Sequence, residues 1–297
     1  MSSDWDDLRI FLAVARAESL SGAGRVLRLD PATVGRRIQR LEERSATQLF
    51  LKSAQGYALT EAGQRMLVPI EEAEQSMASA FADVRGAKDR MRGQIRIGAP
   101  DGCANYLLPQ VVAEICTAHP DLDIQIVALP RVFNLSKREA DMAIAVSPPT
   151  TGRLTVQKIT DYRLSLAASA TYLAGRPPIQ TLSDLKDHRI VGYIPDMIFD
   201  SELDYLSELG VARVTAASNS VSVQVHLIRQ GAGVGICHDF ALPAAPGVQR
   251  VLEKDFSLTR SFYLIRHAAD TRIEHLNRFA ALLGDGLRRA VHVLEST

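Results

Sequence analysis

Four arginines crowd the run LRLDPATVGRRIQRLEE, Leu27 to Glu43: Arg28, Arg36, Arg37 and Arg40. Guanidinium groups clamp phosphates and read guanine in pairs of hydrogen bonds. From Arg25 to Lys52 seven basic residues (Arg25, Arg28, Arg36, Arg37, Arg40, Arg44, Lys52) stand against three acidic ones (Asp30, Glu42, Glu43), in a chain whose formal net charge is +0. The overall charge points to no partner, so a nucleic-acid reading rests on this local excess. Spacing alone leaves two readings open, a solvated charged face and a helix built for a DNA groove. No other catalytic pattern competes: GxSxG, HExxH, Walker A and GxGxxG motifs are absent from the sequence. Three cysteines, Cys103, Cys116 and Cys237, lack metal-ligand or CxxC spacing, and His238 beside Cys237 does not make a metal site. No cofactor, metal or enzymatic activity is expected.

The elements that must hold these arginines are short. Trp5, Leu8, Phe11, Leu12 and Ala15 recur at helical spacing behind a Ser3/Asp4 cap. A second helix opening at Ser21 is expected to bury Ala23, Val26 and Leu27. Asp30 suits an N-cap and Pro31 the first position of a third helix, where its missing N–H costs nothing. Val34, Ile38 and Leu41 form that helix's inner stripe, which leaves Ala32, Thr33, Gly35, Arg36, Arg37 and Arg40 on the outer side. QLFLKSAQGYALT reads as a hairpin around Gly56. A short helix, a tight turn and a basic helix make a helix-turn-helix.

From Thr60, a cap, to about Arg90, Met66, Ile70, Ala73, Met77, Ala80 and Val84 alternate steps of four and three, the seam of a coiled coil. So narrow a stripe predicts pairing with a second copy. Pro69 should bend this helix, and Gly93 is a plausible hinge. Beyond it strands and helices alternate: QIRIGAP, LDIQIVAL, ADMAIAV, HRIVGYI, ARVTAAS, GVGICH and SFYLIRH as strands, with helices over about 104–118, 221–230 and 271–289. The pattern predicts an α/β domain with a mainly parallel sheet. The domains are therefore 1–60, 61–92 and 93–297.

No apolar run reaches membrane-span length, and the N-terminus is acidic before its apolar stretch, unlike a secretory signal. The sequence thus places the chain in the cytoplasm with reduced thiols.

Over Trp5–Gly63 the chain resembles the LysR-type transcriptional regulators. Leu8, Phe11, Ala23, Leu29, Val34, Arg36, Ile38, Leu41, Glu42, Leu49, Phe50, Leu59, Thr60 and Gly63 stand where that family's pattern places like residues. The resemblance is looser, but consistent in order and length, over the rest. It departs at Asp30 (often Ser or Thr), at Gly35 (often Ser) and at Lys52 (usually Arg nearby). It implies a winged helix-turn-helix, a long linker helix and an α/β effector domain like periplasmic binding proteins. The two lobes would be about 94–162 with 268–297, and 163–267. DNA contacts would come from Arg28, Ala32, Thr33, Gly35, Arg36, Arg37, Arg40, Lys52 and Tyr57, with strand packing an equal role for Tyr57. Effector contacts would gather beyond strand ends at Asp101, Gly102, Cys103, Leu129, Arg131, Ser147, Tyr193, Phe199, Ser218, Asn219 and Cys237.

A carboxylate at Asp101, where carboxylate-sensing relatives commonly carry Ser or Thr, points to a neutral or cationic effector unless Arg131 compensates. Cys103 and Cys237 near one cleft raise a redox reading that nothing adjacent supports. The expected partners are double-stranded DNA, a small-molecule effector, a second copy through the linker helix, a homotetramer overall, and RNA polymerase if the chain activates; no membrane is expected. A transporter's solute-binding protein, the runner-up, explains only the last zone.

Overall fold

The structure is a computed structural model and describes residues 5–53, 56–84, 91–128, 140–149, 152–206, 209–210 and 213–296. The chain forms two compact units, Met1–Lys88 and Asp89–Thr297.

The first unit contains α1 (Trp5–Ala17), α2 (Leu20–Leu27), α3 (Pro31–Ser45), β1 (Phe50–Ser53), β2 (Gly56–Leu59) and α4 (Glu61–Val84). Its core includes Phe11, Ala23, Val34, Ile38, Leu41, Phe50 and Ile70. The predicted caps at Asp30 and Thr60 form: Asp30 Oδ1 accepts from the Ala32 N–H at 2.8 Å, and Thr60 Oγ1 from the Gly63 N–H at 3.0 Å. The Ser3/Asp4 cap lies outside the described residues.

Two expectations for α2 fail. Ser19, not Ser21, caps it, accepting from the Gly22 N–H at 3.1 Å. Val26 is 76% exposed rather than buried. The reason is the tight turn into α3, which passes over Gly24, where a Cβ would meet the Leu29 carbonyl oxygen at 2.6 Å. Close approach at Gly24 turns the buried face toward positions 23, 24 and 27, away from 26.

The hairpin pairs Phe50 with Leu59 and Lys52 with Tyr57. Its Tyr57 N–H donates to the Glu18 carbonyl at 2.8 Å, and Gly56 adopts φ 132° beside the same carbonyl. Glu42 holds the hairpin's entry, accepting from the Leu49 and Phe50 N–H groups at 2.7 and 3.1 Å. The long helix starts on this unit: Ile70 is buried in its core, Met66 packs against it, and Glu74 pairs with Arg16 at 2.7 Å. Farther along, Met77 is 41% exposed.

The second unit runs β3 (Gly93–Ala99), α5 (Asp101–Tyr106), α6 (Leu108–Ala118), β4 (Leu122–Ala128), β5 (Met142–Ala145), β6 (Leu154–Ser169), α7 (Ala170–Ala174), β7 (Ile190–Gly192), β8 (Ala216–Ala217), α8 (Val221–Arg229), β9 (Val234–His238), β10 (Val248–Arg250), β11 (Leu258–His267) and α9 (Glu274–Glu295). One sheet carries all the strands in the order β4-β3-β5-β11-β6-β9-β7-β8, with β10 on β6. It is not mainly parallel. The parallel pairs lie at both ends, β3 with β4 and β5, and β7 with β8 and β9. Between them β11 and β6 run antiparallel to each other and to their outer neighbours.

Those two strands pass through both halves of the sheet and join two α/β lobes. The β11–β6 register shifts between Phe262 and Tyr263, and Tyr263–Arg266 pairs with β5 beyond the shift. Such bulges bend a ladder where a strand changes surroundings. The core of this unit begins at Met91, which is 2% exposed. The helix expected from Ala104 starts at Asp101 and breaks at Leu107, because Pro109 has no N–H to bond to Asn105. In the first lobe α9 crosses α6 at Gly286, where a Cβ would lie 2.4 Å from Val111 Cγ1.

Candidate nucleic-acid interface and ligand cleft

The outer arginines of α3 split into two kinds. Asp7, from the first turn of α1, is fully buried. Arg37 Nη1 donates to its Oδ1 at 2.9 Å, Arg40 Nη2 reaches both its oxygens at 2.7 Å, and Arg44 Nη1 lies 3.5 Å away. Burial alone would raise the Asp7 pKa, but the hydrogen bonds from Arg37 and Arg40 outweigh it and hold the carboxyl below 3.8. One buried negative charge thus orders three guanidinium groups on α3. Arg36 is exposed, and its Nη2 donates to Thr33 Oγ1 at 3.2 Å within the same helix. Arg28 and Ala32 are exposed, with Arg28 closing α2 in the left-handed region at φ 55°. Gly35 is half-buried, its missing Cβ 3.2 Å from Leu20 Cδ1.

In the hairpin Lys52 is exposed above the Tyr57 ring, with Nζ 5.7 Å from its centroid. Tyr57 packs on the core and meets Phe50 edge to face at 6.0 Å. Arg28, Arg36 and Lys52 are each open to solvent, as is the small Ala32 at the start of α3. That composition lets a helix approach base edges while cations reach phosphates. The anchoring role of Asp7 was missed, because an aspartate on a helix's first turn reads as an end-charge effect.

In the second unit the cleft between lobes is crossed by two carboxylate contacts. Asp101 opens α5 in one lobe, and its Oδ2 accepts from the Ser222 N–H at 2.9 Å and from the Ser220 and Ser222 hydroxyls at 3.1 Å each, in the other. In return the Ser147 hydroxyl at the end of β5 donates to Asp200 Oδ2. Behind these lies a cavity of about 20 Å³ lined by Pro100, Asp101, Gly102, Cys103, Val146, Tyr162, Tyr193, Phe199, Leu203, Asn219, Val221, His238 and Phe262. It has room for one water.

Of the sequence-predicted effector residues, Asp101, Gly102, Cys103, Tyr193, Phe199 and Asn219 line this cavity. Ser147 and Ser218 stand beside it in hydrogen bonds, to Asp200 and from the Ser220 N–H at 3.1 Å. Cys237 does not line it; the next residue of β9, His238, does, as alternation along a strand requires. Leu129 and Arg131 lie outside the described residues. Tyr162 and Phe262 were missed as site residues because β6 was not recognised and β11 was read as one lobe's strand.

The aromatic wall is continuous: Tyr162 stacks on Phe262 at 4.2 Å and on His238 at 5.4 Å. Burial lowers the His238 pKa to about 4, so its ring is neutral near pH 7. Burial pushes the Cys103 thiol far up and the Cys237 thiol to about 12, so neither is a thiolate and neither suits redox chemistry. A larger cavity of about 280 Å³ lies wholly in the second lobe, among Val191, Tyr193, Ile198, Tyr205, Arg213 and Gln224. Among the described residues no cluster of His, Cys, Asp and Glu could hold a metal ion, and no helix is long and apolar enough to cross a membrane.

Comparison with known proteins agrees with this architecture. Residues 5–64 match the family model described as bacterial regulatory helix-turn-helix protein, lysR family, and residues 88–288 match the LysR substrate binding domain. The chain is 30% identical over 182 residues to the HTH-type transcriptional activator TtdR of Escherichia coli K12, covering 61% of this chain. It spans 59% of the length of that relative. It is 24% identical over 238 residues to the HTH-type transcriptional regulator PtxR of Pseudomonas aeruginosa, covering 78% of this chain and 76% of that one.

Among solved structures, a full-length OxyR variant from Pseudomonas aeruginosa aligns over 97% of this chain and 95% of its own, with TM-score 0.73 at 16% identity. CrgA of Neisseria meningitidis aligns over 96% of this chain and 99% of its own, with TM-score 0.58 at 20% identity. These likenesses establish the shared fold. With the helix-turn-helix matched at one end and the substrate binding domain over most of the remainder, the chain belongs to the LysR family of bacterial regulators.

Proposed function

We propose that this chain is a ligand-responsive transcription regulator that binds double-stranded DNA through α3 and a small effector between the lobes of its C-terminal unit. The observation that carries the reading is the exposed Arg36 on a helix whose neighbouring arginines are ordered by buried Asp7. Arg36 reaches a base edge from the major groove, with Arg28, Arg37, Arg40 and Lys52 toward phosphates and Ala32, Thr33 and Gly35 giving close approach. Tyr57 supports the wing by packing.

Residues 1–60 read DNA, 61–92 connect, and 93–297 form the receptor. The part of α4 that carries the exposed Met77 pairs with a second copy, so that two α3 helices address half-sites related by a two-fold axis. Receptor units pair as well to give a tetramer. The effector sits among Asp101, Gly102, Cys103, Tyr193, Phe199 and Asn219, and acts by binding one lobe arrangement more tightly than the other. The chain works in the cytoplasm, is not an enzyme, and contacts RNA polymerase where it activates.

An electrophoretic shift with DNA from upstream of its own gene tests the reading. A sequence-specific shift that weakens with salt is the expected result. No shift at low salt overturns it in favour of a solute-binding role.

A further inference from the structure

The carboxylate of Asp101 sits at the N-terminus of α8. It belongs to one lobe, yet it receives a backbone N–H and two hydroxyls from the first turn of α8 in the other. Ser220 is the N-cap of that helix, its hydroxyl also accepting from the Val223 N–H at 3.3 Å. Unpaired N–H groups and the positive end of a helix dipole favour one negative charge, and here the protein supplies it. Asp101 is steadied from its own side, Oδ1 accepting from Asn105 Nδ2 at 3.2 Å.

A second feature points to a ligand without negative charge. None of the described residues lining the cavity is Lys or Arg. One lining residue, His238, is 5% exposed, and its Nδ1 has no hydrogen-bond partner. A ligand that enters between the lobes meets aromatic walls, an unclaimed imidazole nitrogen and a carboxylate.

We propose that Asp101 is a built-in anionic ligand of α8: it fills the anion position of the cleft, latches one lobe to the other, and selects an effector whose group at this end is neutral or cationic. This rests on the reading of the C-terminal unit as an effector receptor. A second negative charge at α8 must displace Asp101 or lie beside it, and both routes forfeit charge-assisted hydrogen bonds.

The test titrates the full-length protein with acetate and benzoate, using acetamide and benzamide as uncharged controls, by calorimetry and thermal unfolding. Wild type should bind the carboxylates no better than the amides. Asp101→Ala should bind the carboxylates on the order of tenfold to a hundredfold more tightly than wild type, with the amides unchanged. Asp101→Asn keeps the shape of the side chain and should move in the same direction if Asp101→Ala does not fold. Hydrogen exchange at the Ser222 amide gives a readout in wild type alone: it should be slow without ligand, and in Asp101→Ala fast until a carboxylate is added.

Equal carboxylate binding by wild type and variants, no gain in a folded variant, or fast exchange in wild type each overturns the latch. Failure of the receptor reading looks different: the variant gains carboxylate binding, but saturating carboxylate leaves its retention on DNA unchanged.

Discussion

Arg40 grips Asp7 across the helix-turn-helix core: its Nη2 lies 2.7 Å from both carboxylate oxygens, and its Nε lies 3.2 Å from Oδ2. The pair joins the first helix of the unit to the helix proposed to read DNA. It fixes the rotation of α3 more tightly than apolar packing at Val34, Ile38 and Leu41 would alone, since bidentate pairs are directional. Arg37 and Arg44 share the same carboxylate, so part of the positive face of α3 is already neutralised.

Replacing Asp7 by Asn removes the counter-charge from three arginines. The helix-turn-helix unit should lose about 2–3 kcal/mol, less than the ~3–5 kcal/mol of a fully enclosed broken pair, because Arg40 and Arg44 are about half exposed. The folded pKa of Asp7 is depressed, so its stabilisation is present above the unfolded value near 3.8 and is lost as pH falls through the folded value. Thermal unfolding of wild type and Asp7→Asn should therefore differ at neutral pH and converge in strong acid. The freed cations should also steepen the salt dependence of nonspecific DNA binding; an unchanged slope would show that the ion pairs already open on DNA.

Arg36 makes the sharper prediction. It is exposed, and its guanidinium donates to Thr33 on its own helix. Arg36→Ala should leave thermal stability within about 0.5 kcal/mol while weakening specific binding by about 1–3 kcal/mol. Competition with mismatched sites should show relaxed preference at one base pair. Loss spread evenly over all sequences would instead assign Arg36 to a phosphate.

How much of this was legible in the sequence depends on range. Local signals read well: Asp30 before Pro31, Thr60 before Glu61, and the stripe Val34, Ile38, Leu41 all act within a few residues and appear as expected. Val26 was misplaced because the buried face of α2 is set by the close pass of Leu29 over Gly24, a contact between elements. β6 escaped for a related reason. Its first part is exposed at three consecutive positions, Val156, Gln157 and Lys158, while Leu164–Ser169 is buried on both faces, so no single period describes it. Six of the nine predicted cleft residues that are described line the cavity, because strand ends and helix starts are locally visible. Tyr162 and Phe262 line it because two long strands cross between lobes, which is a property of the topology.

Met77 stands exposed on α4 beyond the part that Ile70 anchors to the core. If this stretch pairs two copies, Met77→Glu places like charges across the seam and should shift the assembly toward monomer in analytical ultracentrifugation. The helix-turn-helix should remain folded by circular dichroism, since Met77 is not part of its core. Specific DNA retention should then fall steeply, because each head would have to bind a single half-site. An unchanged sedimentation coefficient would place the dimer contact elsewhere.

His238 gives a pH signature for the cleft. Burial lowers its pKa from 6.5 to about 4, so between those values the unfolded chain binds a proton that the folded chain refuses. Stability from this group is therefore undiminished above about pH 6.5 and falls as the solution is acidified, by at most about 3 kcal/mol near pH 4. Denaturant midpoints of the second unit's transition should decline over that window in wild type and stay flatter in His238→Phe, which keeps the aromatic contact with Tyr162. A ligand that donates a hydrogen bond to the unpartnered Nδ1 of neutral His238 should add its own pH dependence, binding more weakly as that nitrogen gains a proton. The same variant should then abolish that dependence while leaving DNA binding without effector intact, which separates a role in the cleft from a role in folding.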